Sequence, residues 1–145
     1  MEQALKQAES DGAHAATRVL VIDDSNTIRR SAEIFLRQGG YQVVLAEDGF
    51  DALAKVNDHQ PHLIFCDILM PRLDGYQTCA IIKRNPRFAH VPVIMLSSKD
   101  GLFDKARGRI VGSDQYLTKP FTREGLLEAI TLHVKHEAAP ITSAS

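Results

Sequence analysis

Val19-Leu20-Val21-Ile22-Asp23-Asp24-Ser25 is the stretch that decides the fold: four apolar residues in a row, then two acids and a hydroxyl. A continuous apolar run of this length is what a strand covered on both faces requires, as in a parallel sheet. Behind it, Ile28, Ala32, Phe35 and Leu36 recur at helical spacing and stop at Gly39-Gly40, a good helix C-cap. Further strands are expected at Tyr41–Ala46, Leu63–Cys66, Val93–Leu96 and Gln115–Leu117. Each precedes another helical pattern. Phe50, Leu53 and Ala54 follow Asp48 as N-cap, and Tyr76, Cys79 and Ala80 follow the third strand. Phe103, Ala106 and Ile110 follow a cap placed at Asp100, and Leu127, Ile130 and Val134 belong to a helix starting near Thr122. Strands alternating with helices predict a doubly wound α/β domain: five parallel strands with helices on both faces.

The 145 residues suffice for one such domain. Residues 1–17 lack a broad apolar face and read as a flexible extension. The domain is expected over 18–136, and the Ala-, Ser- and Thr-rich stretch 137–145 reads as a flexible tail. A net charge of −1 gives no electrostatic case for nucleic acid. No apolar run approaches the roughly 20 residues needed for membrane insertion, and the N-terminus has no signal-peptide core, so a cytoplasmic location is expected. Cys66 and Cys79 offer no disulfide framework and fit small core residues of a reducing compartment.

Parallel strands joined by helical crossovers place their carboxyl ends on one edge, where open α/β sheets bind ligands. Asp23 and Asp24 close the first strand, Asp67 the third and Ser97 the fourth, while Lys119 follows the fifth. Individually these are weak signals. An Asp-Asp after a strand reads as a turn and helix cap, and a lone Ser as a loop hydroxyl. Together, in order and each at a strand end, they form a rim that core packing does not ask for. Two unit charges about 4 Å apart repel by roughly 4 kcal/mol at an effective dielectric near 20, and Lys119 alone does not balance three carboxylates. A hard divalent cation does, and Mg²⁺ binds through one or two carboxylates plus a phosphoryl oxygen. Asp24 and Asp67 would supply oxygens directly or through water, with Asp23 acting through a bridging water. A carboxylate so held can take up a phosphoryl group, stabilised by the metal, Lys119 and the Ser97 hydroxyl.

At this point the residues resemble a known family. Val-Ile-Asp-Asp-Ser (21–25), Cys-Asp-Ile-Leu-Met-Pro (66–71), Leu-Asp-Gly (73–75), Met-Leu-Ser-Ser (95–98) and Tyr-Leu-Thr-Lys-Pro-Phe (116–121) are similar to the receiver domains of two-component response regulators. The resemblance spans about residues 18–135. It implies a flavodoxin-like (CheY-like) sheet of order 2-1-3-4-5. It further implies that Asp67 is the phosphoacceptor and that Asp23, Asp24, Asp67 and the backbone carbonyl of Leu69 hold Mg²⁺. Ser97 becomes the switch hydroxyl, Tyr116 the switch aromatic, and Lys119 a lysine before a cis Pro120. The phosphodonor would be a histidine kinase, so none of the six histidines need be catalytic; His133 and His136 read as surface residues. Output would pass to a protein target through the fourth helix, fifth strand and fifth helix, where Lys105, Arg107 and Arg109 would meet an acidic partner surface. Leu69 and Lys99 stand where the family tunes phosphoryl lifetime, and predict slow self-dephosphorylation.

The segments 49–55, 71–79 and 98–105 are closer still to the single-domain receivers of type IV pilus chemosensory systems, which implies a regulator of twitching motility. If these 145 residues are the full gene product, output is expected through protein contact rather than an attached effector domain. Three other functions would leave different marks on the sequence. A Mg²⁺-dependent phosphohydrolase would place its two acids as Asp-x-Asp, whereas here they are adjacent. A phosphorylation-independent adaptor would have lost an acid or the lysine. A nucleotide-binding domain would carry a Gly-rich loop after the first strand.

Overall fold

The computed structural model describes residues 16–98 and 103–134. The chain alternates β1 (Arg18–Ile22), α1 (Asn26–Gln38), β2 (Gln42–Ala46), α2 (Gly49–His59), β3 (Leu63–Asp67), α3 (Gly75–Arg84), β4 (Val93–Ser98), α4 (Lys105–Val111), β5 (Gln115–Lys119) and α5 (Arg123–His133). All strand pairs are parallel, in the order β2-β1-β3-β4-β5. This is the doubly wound sheet that the alternating pattern predicted.

Period-two geometry divides the apolar runs between two cores. Val19, Val21, Leu63, Phe65, Ile94 and Leu96 pack with Ala32 and Leu36 of α1 and Leu126, Ala129 and Ile130 of α5. Leu20, Ile22, Ile64, Cys66, Val93 and Met95 pack on the other face with Ala52 and Val56 of α2 and Tyr76, Cys79 and Ile82 of α3. Both cysteines are buried free thiols. Burial pushes the Cys66 thiol well up, and that of Cys79 to about 11, so both are unreactive core residues.

Every helix opens on a side chain that accepts a backbone N–H: Ser25, Asp48, Asp74, Asp104 and Thr122. Asp74 forms a full capping box with Gln77. Helix α1 ends at Gly39, and Gly40 then takes a left-handed φ of 89° that turns the chain into β2.

Several local expectations are corrected. The α4 cap is Asp104, because the phenol of Tyr76 accepts the Asp104 N–H at 2.9 Å and fixes the chain there; Asp100 lies outside the described residues. Helix α4 is therefore short, and Ala106 and Ile110 face outward, Ile110 at 83% exposure. In α2 the core face is Gly49, Ala52 and Val56, leaving Ala54 exposed and Phe50 54% exposed beneath the Arg72 guanidinium, 5.4 Å away.

Candidate functional site

The register of the three central strands gathers the acids. Ile22 sits beside Cys66 and Asp67 beside Leu96, so Asp23, Asp67 and Ser97 leave the same edge at nearly the same height. Asp23 is fully buried, Asp67 is 3% exposed and Ser97 5% exposed, whereas Asp24 is exposed. Carboxylate oxygens of Asp23, Asp24 and Asp67 all lie within 4.8 Å of one another. Lys119 reaches in from the end of β5, its ammonium donating to Asp23 Oδ2 at 3.1 Å and to Asp67 Oδ1 at 3.0 Å. The Lys119–Pro120 peptide is cis.

The surroundings hold these groups in place. The Ser25 N–H donates to Asp23 Oδ1 at 2.9 Å, and the Arg29 guanidinium donates to the Asp23 carbonyl. After Asp67 the chain loops out and returns so that the Gly75 N–H donates to the Ile68 carbonyl at 2.8 Å. At Gly75 the helix start lies against the β3 backbone: a Cβ there would stand 2.2 Å from the Asp67 carbonyl oxygen and 2.8 Å from the Ile68 Cα. Only glycine permits that approach. The Leu-Asp-Gly motif is thereby explained by packing against the acid itself.

A cleft of about 200 Å³ opens on the rim, lined by Asp24, Asp67, Ile68, Leu69, Ser97, Ser98 and Lys119. The Ser97 hydroxyl donates to the Ser98 carbonyl at 3.3 Å. Burial, then the charge of Asp23, push the Asp67 carboxyl up to about 6 against the opposing pull of Lys119. Burial alone would lower the Lys119 ammonium, but its hydrogen bond to Asp67 and the charges of Asp23 and Asp67 raise it, so it stays cationic. One ammonium against three carboxylates leaves two negative charges uncompensated. An all-oxygen donor set with that deficit fits a hard divalent cation.

Every residue proposed from sequence for this rim is brought together here, Leu69 included as a cleft residue. Lys99 lies outside the described residues. Tyr116 stands apart from the acids, on β5, 38% exposed. Its ring stacks on Phe103 with centroids 4.4 Å apart and planes 16° apart, and Phe103 in turn stacks on Tyr76 at 6.0 Å. Arg107 lies 4.4 Å over the other partner of that column, the Tyr76 ring, and its guanidinium reaches Asp74 at 3.5 Å. This column was not legible in the sequence, since its three rings come from three separate elements and Phe103 read as an ordinary helix-face residue.

Comparison with known proteins gives one answer at three levels. The sequence model of the response regulator receiver domain matches residues 19–131. Protein PilG of Pseudomonas aeruginosa is 66% identical over 128 residues, covering 88% of this chain and 92% of that protein. The alkaline phosphatase synthesis transcriptional regulatory protein PhoP of Bacillus subtilis is 38% identical over 105 residues, 72% of this chain; the match spans only 43% of that regulator's length. Among solved structures, the chemotaxis protein CheY4 of Vibrio cholerae superposes with a TM-score of 0.77 at 31% identity, covering 81% of this chain and 98% of that one. Among the described residues, no helix is long and apolar enough to cross a membrane.

Proposed function

The chain belongs to the response regulator receiver domain family, and from that premise we propose that it is a phosphorylation switch with Asp67 as the phosphoacceptor, Mg²⁺ as the metal and a histidine kinase as the donor. The observation that carries this reading is the Lys119 ammonium bridging two nearly inaccessible carboxylates, 3.0 Å from Asp67 and 3.1 Å from Asp23, at the mouth of a cleft. A structural ion pair needs one acid; this cluster has three.

In the proposed reaction an Asp67 carboxylate oxygen attacks the phosphorus of a phosphohistidine, the P–N bond breaks, and an acyl phosphate remains on Asp67. Lys119 holds Asp67 ionised and positioned before attack and lies where the equatorial phosphoryl oxygens gain charge. Asp23, Asp24, Asp67 and the Leu69 carbonyl would hold Mg²⁺, which supplies neutralisation of the phosphoryl and carboxylate charge when bound. The same groups suit transfer from a small phosphodonor and the slow loss of the phosphoryl group to water. Ser97, buried beside Asp67 and donating only to a neighbouring carbonyl, is placed to turn its hydroxyl to the new oxyanion.

The readout is assigned to Tyr116 and to the face made by α4, β5 and α5, where Lys105, Arg107 and Arg109 suit an acidic partner protein. The likeness to PilG supports a role in type IV pilus chemosensory signalling and twitching motility. A cytoplasmic location follows from that role. The domain proper is assigned to 18–136, between the extension 1–17 and the tail 137–145.

The test is backbone amide NMR with Mg²⁺ and beryllofluoride, a mimic of the acyl phosphate. Shifts around Asp67, Ser97 and Tyr116 that vanish in Asp67→Ala are expected. An unresponsive spectrum with Mg²⁺ present would favour a phosphorylation-independent adaptor.

A further inference from the structure

The sheet edge opposite Asp67 carries a larger cleft, of about 530 Å³ against about 200 Å³ at the acidic rim. That volume falls in the range of small-molecule sites. It forms where β1, β3 and β4 begin and α5 ends, among residues that the proposed phosphorylation does not use. Its floor is apolar, with Phe88 and Val91 buried and Pro61 beside them. Its rim carries two guanidiniums, Arg18 and Arg87, and three imidazoles, His62, His90 and His133, and no acidic residue lines it.

The bonding of the two arginines makes the charge significant. Arg18 donates to the carbonyls of His59 at 2.8 Å and Gln60 at 3.0 Å, which ties it to the end of α2. Arg87 donates to the Asn57 side-chain oxygen at 3.2 Å and lies 5.1 Å over the Phe88 ring. All these partners are neutral. Among the described residues neither arginine belongs to an ion pair. His62 accepts the Arg18 N–H on Nδ1 at 2.9 Å, so its proton sits on Nε2, as a donor. The overall charge is −1, so the two guanidiniums on this rim are a local feature rather than a consequence of a basic protein. A concave site with uncompensated guanidinium focuses positive potential, and guanidinium matches the geometry of phosphate and carboxylate oxygens.

We infer that this cleft binds a small organic phosphate, with its phosphoryl group on the Arg87 and His90 rim and its apolar body against Phe88 and Pro61. Apolar floor and cationic rim together select the class: an inorganic anion leaves the floor unused, and a neutral ring leaves the charges unmet.

The probe is AMP, titrated into the full-length ¹⁵N-labelled chain with EDTA present so that no metal at the acidic rim recruits the phosphate. Adenosine and inorganic phosphate are titrated separately. AMP is expected to move the amides of His62, Arg87, His90 and Val134 saturably, with a dissociation constant of about 1 mM or below. Adenosine and inorganic phosphate should each bind at least tenfold more weakly. Arg87→Glu and His90→Glu, both at exposed positions, should each weaken AMP at least tenfold while the rest of the spectrum stays in place. The inference is overturned by no saturable shift up to about 20 mM AMP, by adenosine or phosphate binding as tightly as AMP, by unaltered affinity in both variants, or by shifts confined to the Asp67 rim.

Discussion

Replacing Asp67 by Asn should make the metal-free protein more stable, although Asp67 is the residue on which the proposed function depends. The reason lies in the charge arrangement. Carboxylate oxygens within 4.8 Å of one another repel by about 3.5 kcal/mol per pair at an effective dielectric near 20. Lys119, at 3.0 Å from Asp67 and 3.1 Å from Asp23, returns roughly 5 kcal/mol per contact on the same scale. Those contributions are of similar size, so the loss of hydration at Asp67 and the unbalanced acids decide the outcome. They hold its carboxyl at about 6 instead of the ordinary 3.8. About two pKa units at 1.36 kcal/mol each set a ceiling of about 3 kcal/mol on the cost of keeping Asp67 ionised in the folded state.

The sign follows from proton linkage. The folded pKa is raised, so the folded state binds the proton more tightly than the unfolded chain does. Protonated Asp67 carries no penalty below about pH 4; the penalty grows as pH rises towards 6 and is constant above it. Asp67→Asn removes it. Urea unfolding in EDTA should therefore show the variant about 1–3 kcal/mol more stable than wild type at pH 7.5, with the gain shrinking towards zero near pH 4. Adding Mg²⁺ should narrow or reverse the difference, because a cation bound only by the folded wild type stabilises it by mass action. A variant less stable than wild type at pH 7.5 in EDTA would refute the reasoning and make the cluster a net stabilising ion pair.

Two further perturbations probe the supports of the site. Gly75→Ala would drive a methyl group to 2.2 Å from the Asp67 carbonyl, against backbone that has no side-chain end to yield. A loss of at least about 2 kcal/mol in urea unfolding is expected, and amide shifts should centre on Asp67 and Ile68; a thermal midpoint equal to wild type would contradict the close approach. Phe103→Ala removes the ring stacked 4.4 Å from Tyr116. At about 0.5–1.5 kcal/mol per stacked pair, the present Tyr116 rotamer should lose roughly two- to tenfold in population. The ¹⁹F resonance of fluorotyrosine at position 116 reports this, and an unchanged resonance would show that Phe103 does not hold the ring.

The rim was readable from sequence because each of its residues ends an apolar run, and parallel topology puts all such ends on one edge. Asp23, Asp67 and Ser97 needed no more than strand boundaries to be brought together. Helix faces were less legible. Phe50 and Ile110 sit at positions that a loose apolar count accepts, yet both are turned outward, since small residues take the inward positions: Gly49 lies against Leu73 and Thr78, and Gly108 against the Phe103 ring. The helical pattern puts the α4 cap at Asp100, whereas Asp104 caps it, its N–H held by a phenol 28 residues earlier in the chain that no local pattern reveals. The cationic cleft was illegible for the same reason. Arg18, His62, Arg87 and His133 are far apart in sequence, and scattered histidines and arginines look like a solvated surface until the strand starts are assembled.

Charge counting also explains why this rim suits a switch rather than a permanent binding site. With Lys119 alone, three carboxylates leave a deficit of two positive charges, which a divalent cation closes. The proposed phosphorylation of Asp67 would then replace a carboxylate charge with a group carrying about −1.5 to −2. The closed balance reopens by up to one negative charge, on oxygens that accept hydrogen bonds strongly. Among the described residues no further cationic side chain lines the cleft to answer it: apart from Lys119, they offer the acids, the apolar Ile68 and Leu69, and the hydroxyls of Ser97 and Ser98. The Ser97 hydroxyl, spent at present on the neighbouring Ser98 carbonyl at 3.3 Å, is the buried donor nearest in register to Asp67. Turning it to the phosphoryl oxygen costs one long hydrogen bond and yields a charge-assisted one, roughly twice as strong. The gain is about 1–2 kcal/mol, enough to shift a two-state population by about an order of magnitude and no more. An output built on this rim is therefore graded by such small differences, and a contact as modest as the Phe103–Tyr116 stack is of the right size to set its resting position.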